Sequence, residues 1–366
     1  MSAEMIGAAA PPEQVASGLQ RIINDSTGSK EVPGITIQVV TPNWSWSSAA
    51  GNAGLNSSDP AEPGMLFRVA SVSKVFTATA VCKLAEEGKL NLNDSIDRWL
   101  PQKYLDRIQD HSNITLRMLL QHRSGIADYD EEESLIPMQL SQPETPVSTD
   151  TAIFQGLDKG LLFKPDTNYT YSNVGYLLLT RVIDEASGMS YEDYVRKTLI
   201  KPLGLNDTIM PTSPPIKTIP GKYMHCEVYV NDSSVYNFSD IYILWDRGAG
   251  DIICSAEDLN KFHKALREGR VLGPGLIREM QDFKPTLANS TDKEYGLGYG
   301  ISKYHNGSFN YSLIGHAGAY PASITAFYYW VEGDTYIAFN MNSIRLDVMY
   351  SILRQIIEYL GGHAPS

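Results

Sequence analysis

Cysteine is scarce: 366 residues contain three, Cys82, Cys226 and Cys254. An odd, widely spaced set gives neither a disulfide framework nor a metal-ligand pair, so buried free thiols are expected. Positive charge is also short, with 30 lysines and arginines against 42 aspartates and glutamates and a formal net charge of -12. That balance argues against nucleic acid and against a polybasic membrane anchor. No apolar run approaches the roughly 18 residues of a membrane-spanning helix, and there is no internal repeat or low-complexity tract. The start, Met1-Ser2-Ala3-Glu4-Met5-Ile6-Gly7, lacks the basic end and apolar core of a signal peptide. The protein is therefore expected to be cytoplasmic, or a mature periplasmic or secreted form freed of its leader. No cofactor and no metal are expected.

What is present is ordinary globular composition, 43% hydrophobic and 20% charged, on a chain long enough for a large core. Periodicity predicts a helix over 11–26, a strand over 34–40 with a partner over 44–50, and a helix over 71–88 stopped by glycine. The middle mixes short helices, among them 176–186 and 190–200, with proline-rich loops. The C-terminal part returns to strands at 311–315, 323–331 and 335–340, the last two as a hairpin about Glu332-Gly333-Asp334, and closes on a helix over 346–360. Strands at both ends around a helical middle suggest one mixed sheet with a helical insertion and a cleft between them.

Three motifs carry chemistry. Ser71-Val72-Ser73-Lys74 puts a serine and a lysine one helical turn apart on one face, so the amine can take the hydroxyl proton and make a nucleophile without histidine. About one Ser-x-x-Lys is expected by accident at this composition. A second one, Ser290-Thr291-Asp292-Lys293, lies in a polar run that reads as a turn. In Tyr171-Ser172-Asn173, a phenol near an ammonium can act as general base, and the amide can hold Lys74 or a substrate carbonyl. Tyr229 and Tyr304 begin the same Tyr-x-Asn pattern without a helix behind them. In His316-Ala317-Gly318, directly after the 311–315 strand, the histidine can polarise the site and the glycine can let a substrate backbone lie on the strand edge. His305-Asn306-Gly307 has the same short pattern but reads as a hairpin turn.

Together these motifs resemble the serine β-lactamase and penicillin-binding-protein superfamily. The similarity is greatest to the class C β-lactamase-like branch, which includes D-aminopeptidases, D-amino-acid amidases, D-alanyl-D-alanine carboxypeptidases and family VIII esterases. Supporting stretches are Leu119 to Ile126, Lys201-Pro202-Leu203-Gly204-Leu205, Gly248-Ala249-Gly250 and Tyr295-Gly296-Leu297-Gly298-Tyr299. The resemblance implies an α+β fold over 14–360. An antiparallel sheet flanked by helices would come from about 14–90 and 245–360, and an inserted, mostly helical subdomain from about 91–244. By position, Ser71 resembles the acylated nucleophile, Lys74 and Tyr171 the proton-handling pair, and Asn173 the substrate-orienting amide. His316 stands where β-lactamases of this branch usually carry lysine. Backbone N–H groups of Ser71 and Ala319 would form the oxyanion hole, with Gly318 beside it. Trp245 resembles an aromatic cleft wall. His122 falls in a family stretch away from the chemistry and reads as structural.

The departures set the functional expectation. Histidine at 316 suits the peptidase, amidase and esterase members. Gly300 replaces the arginine that binds a terminal carboxylate in carboxypeptidases, and Lys303 is the nearest substitute. Asp166 and Ala322 stand where relatives favour Pro-Gly. Tyr320 is expected to narrow the acyl pocket, and Asp246 or Asp251 to offer a partner for a substrate ammonium. The expectation is a serine hydrolase cleaving D-amino-acid amides, short peptides or small esters through an acyl-enzyme, with β-lactams as slow acylating agents. The alternatives are a class C-like β-lactamase, a D-alanyl-D-alanine carboxypeptidase, an acyl transferase or a non-catalytic binding relative.

Overall fold

The computed structural model describes residues 9–362 except 56, 130, 232–233, 287–291 and 307–308. Ile35, Ile37 and Val39 alternate along strand β1 (Gly34–Val40) and are fully buried. That period-two pattern fixes which face of the strand turns inward. β1 lies between β2 (Ser45–Gly51) and a C-terminal strand, so the two ends of the chain complete one sheet. The remaining strands are β3 (Lys284–Pro285), β4 (Lys293–Tyr295), β5 (Gly300–Asn306), β6 (Phe309–Tyr320), β7 (Ser323–Trp330) and β8 (Thr335–Met341). The order is β2-β1-β8-β7-β6-β5-β4-β3. Every pairing is antiparallel, as the family resemblance implied and unlike the mixed sheet that the order of strands alone suggested.

One face of the sheet packs on helices α1 (Glu13–Asp25) and α5 (Leu346–Gly362) through Leu19, Ile23, Met349, Ile352, Ile356 and the β1 side chains. The other face carries α4 (Ala256–Arg267), α2 (Ser73–Glu86) and the helical middle, and these share one hydrophobic cluster. Eleven of the fourteen residues of α2 are buried. A helix apolar all round belongs in the interior, which is where α2 carries Lys74. Helix α3 (Asn173–Ser187) starts three residues earlier than periodicity predicts, because Ser172 caps it: its Oγ accepts from Gly175 N at 3.3 Å. The expected helix over 190–200 is a short α-helix, Tyr191–Val195, followed by wider π turns over Arg196–Ile200.

The largest change from the sequence reading is β6. It runs from Phe309 to Tyr320, so His316-Ala317-Gly318 lies inside the strand and not after it. Pairing with β7 through Tyr320↔Ser323 sets that length, a cross-strand effect that the local sequence of β6 does not carry. Among the described residues, no helix is long and apolar enough to cross a membrane.

Candidate active site

Ser71 does not open α2. It lies in the middle of a 3-10 turn, Ala70–Val72, whose C-cap Ser73 begins the helix. Ala70 takes a left-handed φ of 49°, an unfavourable position for a residue with a Cβ, so the surrounding structure has to hold it. Three contacts do so. Val69 N donates to Ile252 O at 2.9 Å. Ile252 N donates to Ser73 Oγ at 3.0 Å. Gly318 of β6 lies so close that a Cβ there would meet Val69 O at 2.1 Å. Gly318 thus lets the protein's own backbone approach, a role the sequence reading did not assign to it. Ala319, next along β6, is exposed beside this turn.

Lys74 is fully buried one turn into the interior. Its Nζ donates to Ser71 Oγ at 3.2 Å, Asn173 Oδ1 at 2.6 Å and Ala249 O at 2.7 Å. An ammonium has three N–H groups to give. A neutral amine has two, and a lone pair in place of the third. With Asn173 and Ala249 taking two N–H groups, the third direction points at the Ser71 hydroxyl. The arrangement can therefore hold a protonated lysine that donates to Ser71, or a neutral one that receives its proton. Ala249 is held in turn by its loop. Gly248 has φ 73°, and a Cβ there would meet Thr180 Cγ2 at 2.3 Å. Its N–H donates to the buried Asp251 at 2.9 Å.

Asn173 is the first residue of α3, and Asp128 fixes its amide. The Asp128 carboxylate accepts from Asn173 N at 3.0 Å, Asn173 Nδ2 at 2.9 Å and Val174 N at 3.3 Å. Because Nδ2 faces Asp128, Oδ1 must face Lys74. A carboxylate at a helix N-terminus also meets the positive end of the dipole. Burial still raises the Asp128 carboxyl above its ordinary range, against the pull of these N–H groups and Lys74. The sequence reading missed Asp128; its position just after Ser124-Gly125-Ile126-Ala127 was the available signal.

Tyr171 packs against Lys74, whose Nζ lies 5.0 Å from the ring centroid. Behind it stands His122, 4.2 Å from the Tyr171 ring and within 5.9 Å of the rings of Tyr169, Tyr176 and Tyr295. His122 is therefore not remote from the chemistry, as its sequence context suggested. Its Nδ1 accepts from Ser172 N at 3.2 Å, which locks the residue after Tyr171. Burial, with smaller contributions from Lys74 and His316, holds it well below the usual histidine range and so neutral. His316 is also neutral. Burial first and the Lys74 charge second lower it to about 4. Its Nδ1 faces the Ala317 carbonyl and so carries the hydrogen, leaving Nε2 to accept from Tyr295 Oη at 3.0 Å. Both ring nitrogens thus have partners within the protein.

Tyr171, Tyr295, His316, Ala317 and Gly300 line one cleft of about 660 Å³ with Tyr169. Gly300 pairs with Gly315 on one side and Tyr295 on the other. Lys303 is engaged by Glu294 at 3.3 Å and stays partly exposed. Several expectations fail on burial. Trp245 is fully buried in the core and forms no open cleft wall. Tyr320 turns inward over Arg68, with its Oη donating to Phe238 O at 3.3 Å, so it braces the strand end instead of narrowing a pocket. Asp251 is sealed between Gly248 N and Thr212 Oγ1. Asp246 stays partly exposed, with Oδ1 accepting from Tyr129 Oη at 2.7 Å. Asp166 and Ala322 keep left-handed φ values of 62° and 60°, so the turns usually built on glycine survive here with a Cβ. The second Ser-x-x-Lys falls partly on Ser290 and Thr291, outside the described residues, as does Gly307 of the His305 pattern. All three cysteines are buried and free, and no metal-binding group of His, Cys, Asp or Glu occurs among the described residues.

The sequence matches the Beta-lactamase family over residues 19–347. Among curated relatives it is 27% identical over 299 residues to penicillin-binding protein 4* of Bacillus subtilis, covering 77% of this chain and 62% of that protein. It is 26% identical over 248 residues to protein flp of Staphylococcus aureus, covering 67% and 48%. The chain thus spans less than two thirds of the length of these relatives. Among solved structures it is similar to a D-stereospecific amidohydrolase from a Streptomyces species, with TM-score 0.81, 25% identity, and coverage of 94% of this chain and 97% of that one. The D-amino acid amidase of Ochrobactrum anthropi SV3, complexed with L-phenylalanine amide, shares the fold at TM-score 0.82 and 24% identity, covering 96% and 100%.

Proposed function

The chain belongs to the Beta-lactamase family of serine hydrolases, and from that premise we propose that it forms an acyl-enzyme on Ser71. Lys74 and Tyr171 handle the proton as Ser71 Oγ attacks an amide or ester carbonyl. The backbone N–H groups of Ser71 and Ala319 receive the oxyanion. The leaving group departs protonated, and water then releases the acyl group. The observation that carries this reading is the hydrogen bonding of Lys74. Two of its N–H directions are fixed by Asn173 and Ala249, and the third is aimed at Ser71 Oγ.

The substrates proposed are D-amino-acid amides, short D-amino-acid-containing peptides or small esters. Neutral His316 in place of a lysine, Gly300 in place of an arginine and the ion pair of Lys303 with Glu294 weigh against a carboxylate clamp at these positions, although Lys293 also lines the cleft. Losing a bidentate carboxylate clamp is costly to a carboxypeptidase. A parallel panel of D- and L-amino-acid anilides, p-nitrophenyl esters, nitrocefin and peptides ending in D-Ala-D-Ala tests the reading. Higher kcat/KM on the D-anilides or esters is expected. Carboxypeptidase turnover above all the others would overturn it.

A further inference from the structure

The asparagines carry a pattern that the hydrolytic site does not use. Of 18 asparagines, 12 are followed two positions later by serine or threonine, with no proline between. With 53 serines and threonines in 366 residues, chance gives about three such acceptor sequences for N-linked glycan. The reverse pattern is the internal control. Serine or threonine two positions before asparagine occurs only twice, in Thr41-Pro42-Asn43 and Ser308-Phe309-Asn310. Composition and turn-rich loops would favour both directions equally, so the excess belongs to the direction that the glycosylation machinery reads.

The fold sorts these asparagines by access. Eight of the twelve have described side chains, and none of the eight is buried. Asn24 lies in the last turn of α1, Asn43 sits in the β1–β2 turn, and Asn93 and Asn113 lie near each other across the Ser95–Thr115 bridge. These four, with Asn168, Asn206 and Asn310, are exposed, and Asn237 is half-buried. The three buried asparagines, Asn260, Asn340 and Asn342, all lack the hydroxyl residue two positions on. A bulky, solubilising glycan can project only from exposed positions, and among the described side chains the acceptor pattern falls only on positions that are not buried.

We propose that the chain is N-glycosylated on several of the seven exposed asparagines and matures in a secretory compartment that supplies a lipid-pyrophosphate-linked oligosaccharide. In the transfer, the asparagine amide nitrogen forms a bond to the anomeric carbon. The bond from that carbon to the pyrophosphate oxygen breaks, the lipid pyrophosphate leaves with the electron pair, and the amide gives up one proton. The test uses the full-length protein isolated from its own source. It is treated with peptide-N-glycosidase in heavy-oxygen water and mapped by mass spectrometry, with protein made in bacterial cytoplasm as the control for spontaneous deamidation. Conversion of asparagine to heavy-oxygen aspartate at several of Asn24, Asn43, Asn93, Asn113, Asn168, Asn206 and Asn310, above the control, is expected. Conversion at none or only one would overturn the proposal.

Discussion

At the scale of single residues, the site depends on how many hydrogens Lys74 has to give. Asn173 decides this only while its amide keeps one orientation, and Asp128 imposes that orientation through three N–H groups. In Asp128→Asn, a group that can itself donate faces Asn173, and the amide is free to turn its NH2 toward the ammonium. A fall of about 100-fold in kcat/KM is expected, the size associated with small misplacements of reacting groups, together with a displaced pH–rate profile. Thermal stability should change far less. A loss of stability with an unchanged kcat/KM and pH profile would show that Asp128 is merely structural. The grouping of Ser71, Lys74, Tyr171 and Asn173 was legible because each motif is local: two residues one turn apart, or three residues at a helix start. Asp128 and His122 were not, because they act across 45 and 50 residues of sequence. No local periodicity marks a side chain whose only task is to hold another.

At the scale of elements, the turn that carries Ser71, the proposed nucleophile, is kept in a strained form by its neighbours. Gly318 allows β6 to press against Val69, so Gly318→Ala sets a methyl group against a carbonyl 2.1 Å away. A backbone shift is required, with an expected stability loss of about 1–3 kcal/mol. Activity should fall further than unfolding alone explains, measured as kcat at a temperature where the variant is fully folded. Wild-type kcat in a folded variant would contradict the role given to this contact. The loop that presents Ala249 makes a second test. Burial raises the Asp251 carboxyl to about 7, so the folded protein keeps a proton that the unfolded chain releases near its ordinary value. A raised acid contributes stability that is fully present below the unfolded pKa and is lost as pH rises to about 7. Asp251→Asn removes that slope, so its stability relative to wild type should improve between pH 4 and 7 in denaturant titrations. A constant difference across that window would contradict the assignment. Sequence reading placed the flanking elements well, with β1 found at its observed bounds. It stopped β6 five residues short, because glycine and histidine weaken the local strand signal while the partner strand sets the length.

At the scale of the whole molecule, the two ends of the chain build one antiparallel sheet, and the segment between them supplies helices over its inner face. The order of elements made that architecture legible; the all-antiparallel pairing was not visible in residue patterns alone. The helical middle and the sheet share one buried cluster running from Phe67 through Leu178 to Phe327. Unfolding monitored by tryptophan fluorescence and by far-UV circular dichroism should therefore give coincident transitions. Two separated transitions would mean that the helical part holds a core of its own. The cleft of about 660 Å³ lies on the Tyr171 and His316 side of the site, and Ser71 is not among the residues that line it.

The central claim is that Ser71 carries the acyl group. The most direct measurement is labelling with a serine-reactive phosphonate followed by peptide mapping of the intact protein and of Ser71→Ala. A single stoichiometric label on the peptide containing Ser71, absent from the variant along with turnover, is the expected result. A label on another serine, or turnover that survives in Ser71→Ala, would contradict the mechanism.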